Sequence, residues 1–360
     1  MEDSPPLWPA AWAQDGLGGQ IDGPVPALEE VQAWISATLP NQPPVSGPLE
    51  IHRLKSWGLT ARFKAGEGEV FFKICLLPLF FGNPQIYQVL DRHCSGTVPQ
   101  MLAWILRQDQ LWTLFHPFAG QFLYEPARFD LMLQAARTLA QTQAAVAAAP
   151  ETELAPLPRR RVADMPAMLD RVEKEIRDQY TAVWAAEPDE EDWGAHLHQW
   201  RPHLEAWAAE LAAGQWPEAP DHVDFHSENI LVDAAGRVRI VDWEETVLNC
   251  PFFSLDRLLA DAAEVEADQW THLPPADAPE GPLGMDRCEM AVRQAYLDAL
   301  PWQNPAARER GLDLALSLAP VKYAYESVLF NGSLSRPQGH PGETAWYMRK
   351  GLERWQCMEK

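Results

Sequence analysis

Between positions 222 and 244 the chain reads His222-Val223-Asp224-Phe225-His226-Ser227-Glu228-Asn229-Ile230-Leu231-Val232, then Asp233-Ala234-Ala235-Gly236-Arg237, then Val238-Arg239-Ile240-Val241-Asp242-Trp243-Glu244. The β-rich runs 230–232 and 238–241 flank a turn containing Asp233 and Gly236, a pattern that predicts a hairpin. Symmetric closure would pair Ile230 with Val241 and leave Asn229 and Asp242 facing each other just beyond the paired ends. Opposed residues in an antiparallel ladder have Cα atoms about 4.5–5.5 Å apart. One amide carbonyl oxygen and one carboxylate would therefore converge on a point. Hard oxygen donors there suit Mg²⁺, which takes one or two protein ligands and fills the rest of its shell with phosphate and water. Asp224, on the loop entering the hairpin, could accept a proton from a hydroxyl beside that phosphate.

Upstream, the texture is strand-like. Residues 49–54 alternate, 59–63 form a second run, Gly66-Glu67-Gly68 reads as a turn, and 69–75 form a third run. Residues 84–94 read as a helix with Pro84 in its first turn, and 101–106 and 110–115 as two further strands. Beyond Gly120 the pattern is helical, at about 127–149, 163–185, 203–213 (closed by Gly214), 254–267, 286–300, 305–332 and 343–357. The fold class expected is α+β: a small antiparallel-sheet lobe crossed by one helix, then a larger, mostly helical lobe. The divisions are 1–48, an extension and a helix with Leu28, Val31, Trp34 and Ile35 on one face; 49–118, the sheet lobe; and 119–360, the helical lobe. Residues 1–26 are rich in Pro and Gly and are expected to be irregular; 41–48 read as a linker.

The length of 360 residues fits about two lobes, and a hydrophobic content of 47 % supports a sizeable core. A formal net charge of −22 argues against nucleic acid, whose phosphates need clustered Lys and Arg, and against an anionic membrane surface. No apolar run approaches the roughly 20 residues that span a bilayer, and Met1-Glu2-Asp3-Ser4-Pro5-Pro6 has neither part of a secretory signal. Five dispersed cysteines without metal-ligand spacing are expected to be free thiols in a reducing cytoplasm.

Lys73 lies inside the apolar run Val70-Phe71-Phe72-Lys73-Ile74-Cys75. Such a lysine is costly to bury without an anionic partner, and a polyphosphate would be one. His222, Asp224 and Asn229 have the spacing of the protein-kinase pattern H-R-D-L-x-x-x-N, followed by a metal-binding Asp at 242. From about 49 to 332, and above all in H-V-D-F-H-S-E-N, V-D-W-E and Pro251-Phe252-Phe253-Ser254-Leu255-Asp256, the chain resembles the aminoglycoside phosphotransferase and choline kinase-like family of bilobal, protein-kinase-like fold. The resemblance implies a Mg²⁺-dependent phosphotransferase moving the γ-phosphate of ATP (or GTP) to a hydroxyl of a small molecule. It makes Asp224 the catalytic base, Asn229 and Asp242 the Mg²⁺ ligands, His222 a brace for the loop, and Lys73 the partner of the α- and β-phosphates. Leu114-Phe115-His116-Pro117-Phe118 would be the hinge, with backbone groups at Phe115 and Phe118 meeting the nucleobase. Ser56, Trp57 and Gly58 would offer backbone N–H groups to phosphate. A cationic acceptor such as an aminoglycoside fits the acidic balance; choline-like amines, hydroxy amino acids and sugars fit the same chemistry.

The missing crossing-helix Glu and the Val at 223 support a rival reading, a nucleotide-binding or sensing protein of the same fold with weak or no transfer. Residues 81–93 contain no Glu to hold Lys73; Asn83 could hydrogen-bond it without neutralising it, and Asp91 lies late in the helix. The first turn of the sheet lacks G-x-G-x-x-G, and Val223 stands where the family has Gly. His226 could touch the transferred phosphate or brace the loop. Trp193, Trp200 and Trp207 recur at helical spacing, although Pro202 is expected to interrupt a straight helix. The run Asp189-Glu190-Glu191-Asp192 reads as a solvated face, Asp256 as an anchor for the segment after Asp242, and Arg159-Arg160-Arg161 as too short for nucleic acid.

Overall fold

The computed structural model describes residues 26, 28–39, 50–55, 57–65, 68–179, 193–266, 268–278, 281–302, 304–333, 347, 348, 351, 354 and 355. Five strands, β1 (Glu50–Lys55), β2 (Gly58–Ala65), β3 (Gly68–Cys75), β4 (Met101–Arg107) and β5 (Gln110–Phe115), form one antiparallel sheet in the order β1-β2-β3-β5-β4. Alternation on β3 decides its faces. Val70, Phe72 and Ile74 are buried on one side, where helix α1 (Leu28–Thr38) covers them with Val31, Ile35 and Trp34. The Trp34 ring meets Phe72 at 6.0 Å and Trp112 at 5.7 Å. Phe71 and Lys73 point to the opposite face. Helix α2 (Asn83–His93), with Pro84 in its first turn, crosses that side and joins the larger core through Ile86, Tyr87, Val89 and Leu90.

The remainder is mostly helical: α3 (Phe129–Ala147), a single turn at Glu151–Leu154, α4 (Met165–Gln179), α5 (Trp193–Ala213), α6 (Leu255–Ala263), α7 (Arg287–Ala299) and α8 (Pro305–Ser333). The alanines of α3 let it pack closely on α7. The expected interruption at Pro202 is not a break: α5 runs through it, and Trp200 lies 6.3 Å from Trp207 and 5.6 Å from Trp355. Packing of this aromatic face offsets the one backbone bond that proline removes. Residues 1–25, 41–48 and 189–192 lie outside the described residues, as does the Trp193 side chain. No described helix is long and apolar enough to cross a membrane.

Short strands frame the site: β6 (Gln121–Phe122), β7 (Ala219–Asp221), β8 (Ile230–Val232), β9 (Val238–Ile240) and β10 (Val247–Asn249), paired β6-β8-β9 and β10-β7. A buried polar network fixes the chain entering position 222. Asp221 and Lys322 of α8 are 0 and 1 % exposed and pair at 2.9 Å. Ser254 Oγ donates to Asp221 Oδ1 (2.9 Å) and accepts from the His222 N–H (2.9 Å), and Asn249 Nδ2 donates to Asp221 Oδ2 (3.1 Å). Gln143 Nε2 donates to the Pro220 and Pro251 carbonyls at 3.0 and 2.8 Å, and Gln143 Oε1 accepts from the Tyr296 hydroxyl at 2.7 Å. Asp256, expected to anchor the segment after Asp242, instead pairs with Arg354; Ser254 does the anchoring. The Arg159–Arg161 cluster is consumed by Glu151, Glu218 and Glu326.

Removing one partner of a buried ion pair strands the other charge. Asp221→Ala is expected to lose about 3–5 kcal/mol in urea denaturation, and Asp221→Ala combined with Lys322→Met less than the single variant.

Candidate active site

The hairpin forms, but in a register one residue away from symmetric closure: Ile230 pairs with Ile240, Leu231 with Arg239 and Val232 with Val238. The turn is the reason. The Asp233 carboxylate accepts the N–H groups of Ala235 and Arg237 at 2.9 Å each, the Asp233 N–H donates to the Arg237 carbonyl (3.0 Å), and Gly236 takes φ +74°. Three residues, 234–236, therefore make the tip, a loop whose last residue is left-handed. A one-residue slip by itself turns every following side chain to the other face. Here the strand ends instead. Val241 N–H donates to the Asn229 carbonyl (2.9 Å), and Asp242 then adopts φ +64°, ψ +50°. Asp is one of the few non-glycine residues that enter this region, and such strained positions concentrate at functional sites.

That turn aims Asp242 across the interlobe cleft. Its Oδ1 lies 2.8 Å from Lys73 Nζ, and its Oδ2 lies 3.4 Å from Arg53. Lys73 has a second partner, Glu244 Oε1, at 2.6 Å. Neither Asn83 nor Asp91 fills that role; the carboxylate missing from the crossing helix comes from the other lobe. Burial works against the charge on Lys73, but Asp242 and Glu244 outweigh it and raise its pKa. Burial likewise opposes the Asp242 charge, and Lys73 overcomes it, holding that carboxyl low. Glu244 is pushed up by burial and by Asp242 beside it.

On the loop, Asn229 Nδ2 donates to the Asp224 carbonyl (2.8 Å) and to Asp224 Oδ2 (3.1 Å). With the amide nitrogen so engaged, the Asn229 side-chain oxygen is turned away from Asp224 and is the end left to act as a ligand. His226 Nε2 lies 3.1 Å from Asp224 Oδ2, and Arg257 of α6 lies 3.3 Å from Oδ1. Burial favours the neutral acid, but the His226 hydrogen bond and the Arg257 charge win and hold Asp224 at about 2. His226 moves upward in turn, Asp224 outweighing burial. His222 is buried; its Nε2 meets the Val241 carbonyl at 2.8 Å and its ring lies edge-on to Trp243 at 4.6 Å. None of residues 222–229 has a positive φ, so Val223 sits in ordinary backbone. The Ser227 N–H is fixed by Asp261 at 2.6 Å.

The sheet-lobe candidates are less alike. Ser56 lies outside the described residues. Trp57 turns its ring onto Phe330 of α8, edge-to-face at 4.8 Å. Gly58 is required by the sheet itself, since a Cβ there would stand 2.6 Å from the Ile74 carbonyl oxygen. Phe115 is buried against Tyr87 (4.8 Å), with Lys73 Nζ 5.9 Å from its ring, and Phe118 is covered by the Arg239 guanidinium at 4.0 Å. The sequence reading missed Glu244, Tyr87, Glu245 and Arg257. The second acid in Asp242-Trp243-Glu244, set beside a crossing helix without Glu, was a usable signal for Glu244. Nothing in the spacing pointed to Arg257.

No protein-family model matches the chain, and no curated protein matches it in sequence. Solved structures do match in three dimensions. Spectinomycin phosphotransferase, in complex with ADP and spectinomycin, aligns at a TM-score of 0.57 and 12 % identity over 94 % of this chain and 100 % of its own. A choline/ethanolamine kinase family protein from Mesorhizobium loti gives 0.57 and 18 % over 92 % and 95 %. The GDP complex of aminoglycoside 2'-phosphotransferase-IIIa gives 0.58 and 14 % over 91 % and 98 %. With its five-stranded antiparallel lobe, single crossing helix and helical second lobe, the chain has the bilobal protein-kinase-like fold that aminoglycoside phosphotransferases and choline/ethanolamine kinases share.

Proposed function

We propose that the chain is a Mg²⁺-dependent phosphotransferase that moves the γ-phosphate of ATP or GTP to a hydroxyl of a small molecule. One observation carries this reading: Asp224 and Asn229 meet at 3.1 Å on one loop, while Asp242, the next residue after the Val241–Asn229 rung, meets Lys73 of the opposite lobe at 2.8 Å. The nucleotide complexes of the structural neighbours support it.

The residues fit the cation. The Asn229 side-chain oxygen and the Asp242 carboxylate are hard donors on adjoining positions, and two protein ligands are what Mg²⁺ usually takes when phosphate supplies the rest. When bound, the ion would neutralise the β- and γ-phosphates. Lys73 binds the α/β charge, and the hinge around Phe115 and Phe118 receives the base. Asp224 faces the acceptor. A carboxylate held at about 2 is a weak base, so its work is to orient the hydroxyl and take the proton late, as the loose transition state of phosphoryl transfer allows. His226 and His222 hold the loop. Both grounds for an inactive protein weaken, because Glu244 supplies the anchoring carboxylate and Val223 needs no special backbone.

The acceptor we favour carries an amine. Among the described residues Glu245 makes no hydrogen bond and no close ion pair, the Arg257 charge acts on it only from longer range, and its carboxyl is pushed up to about 8 by burial, then by Asp224, Asp242, Glu326 and Glu244. A cationic group on the acceptor would relieve that repulsion. The spectinomycin bound to one structural neighbour supports an aminoglycoside-like acceptor.

Asp224→Asn is expected to lose about 10²–10⁴-fold in transfer rate while binding nucleotide as before; wild-type turnover in a coupled ADP-release assay with an aminoglycoside panel would refute the assignment. A second expectation concerns pH. The Glu245 pKa is raised from 4.5 to about 8 on folding, so between those values the unfolded chain is ionised while the folded site is not. Stability is therefore lost as pH rises through that window. In metal-free thermal melts, Glu245→Gln should gain little at pH 5 and progressively more toward pH 8.

A further inference from the structure

In this fold a lysine on the third strand needs a carboxylate to hold its ammonium in place, and the crossing helix ordinarily supplies it. Here α2 contains no Glu, and its acid, Asp91, is not among the partners of Lys73. We infer that Glu244 is the positioning residue for Lys73, supplied from the helical lobe and held there by Tyr87 of α2; the inference rests on the nucleotide-binding reading above.

Lys73 starts from a rigid base. Its strand is paired on both sides, with Thr60 of β2 and Thr113 of β5 directly opposite. Only the ammonium end needs fixing. The segment that fixes it is equally rigid. Trp243 is 0 % exposed, its indole N–H donates to the Ile240 carbonyl (2.9 Å), and its backbone N–H donates to the Tyr87 hydroxyl (3.1 Å). Tyr87 is 1 % exposed, so the hydroxyl that accepts this N–H is itself fixed. The helix thus contributes a phenol that fixes the backbone next to Glu244.

Asp242 and Glu244, one on each side of the clamped Trp243, divide the work. Asp242 has claims from Lys73, from Arg53 at 3.4 Å and, on the proposed function, from the cation. Glu244 makes its ion pair with Lys73 alone among the described residues, at 2.6 Å. When Asp242 turns to a metal, Glu244 remains to keep Lys73 pointed at the α- and β-phosphates. Its role is therefore independent of the cation, which separates it from a metal ligand.

The test is ADP and adenosine binding by calorimetry in EDTA, with wild type, Glu244→Gln, Tyr87→Phe, Lys73→Met, and each of the first two combined with Lys73→Met. Expected is a loss in metal-free ADP affinity of about fivefold or more for Glu244→Gln and a smaller loss for Tyr87→Phe, both shrinking below about twofold on the Lys73→Met background, as coupled partners require. Adenosine, which lacks phosphates, should bind all variants alike; a general collapse of the cleft would weaken it too and would overturn the proposal. Metal-free ADP affinity that is unchanged or tightened in Glu244→Gln, with only the gain on adding Mg²⁺ abolished, would make Glu244 a metal ligand and also overturn it. Tyr87→Phe keeps the buried ring and its 4.8 Å contact with Phe115, so it carries the test if Glu244→Gln fails to fold. Failure of wild type to bind any ADP would instead sink the nucleotide reading, and the anchor role with it.

Discussion

A positive charge on the middle strand of the small sheet is the constraint around which this molecule is arranged. Lys73 projects from a strand paired on both edges, and its face of the sheet meets the other lobe. An ammonium there loses hydration and must recover it from fixed carboxylates. Asp242 and Glu244 do this from a segment 169 and 171 residues further along the chain. The group remains about a quarter exposed, so its value lies less in stability than in direction: it brings one strand of the sheet lobe and one turn of the helical lobe into a single geometry. Two carboxylates within reach of one ammonium also leave an excess negative charge, which a divalent cation between Asp242 and phosphate would absorb.

The backbone at Asp242 follows from that requirement. The hairpin turn closes around the Asp233 carboxylate, and this local chemistry shifts the register by one residue from symmetric pairing. The slip was hidden from the sequence because Asp233 and Gly236 are compatible with tips of different length. Asp242 nevertheless turns toward Lys73, because the left-handed conformation at 242 re-aims the side chain after the last rung. The broad pattern was legible for a different reason. The five sheet strands and the long helices carry full periods of alternation or of helical spacing, whereas β6, β7 and β10 span two or three residues each and leave no period to read. Pro202 inside a long helix misleads in the same way, since packing overrides a local preference.

What the sequence concealed most fully is how the loop before Asp224 is held. Gln143, Asp221, Ser254, Tyr296 and Lys322 come from five separate elements and meet only in the folded core. Each is an ordinary residue in its own segment. The obvious acid near the site, Asp256, was the wrong anchor, because it faces Arg354 while Ser254, two residues earlier, faces the loop. Buried polar groups of this kind add little net stability when satisfied and cost much when one member is lost. Their effect is to make the position of residues 222–229 a property of the whole helical lobe.

Charge on the acceptor side follows a similar economy. The basic triplet at 159–161 is spent on Glu151, Glu218 and Glu326, and Arg257 is committed to Asp224. Glu245 is left facing four other acids, Asp224, Asp242, Glu326 and Glu244, with only the Arg257 charge to offset them and no close ion pair among the described residues. On the proposed function, Arg257 and Glu245 then have opposite tasks. Arg257 keeps Asp224 ionised so that it can only accept a hydrogen bond, which fixes the acceptor hydroxyl in the donating orientation needed for attack. Glu245 is a carboxyl that burial and its acidic neighbours keep protonated, and an amine on the same molecule would let it ionise. On that reading an acceptor carrying an anion would be repelled by the ionised Asp224 and Asp242 and would compete with Asp224 for Arg257. Under the proposed function the arrangement would select for an amino alcohol through repulsion of the wrong charge as much as attraction of the right one.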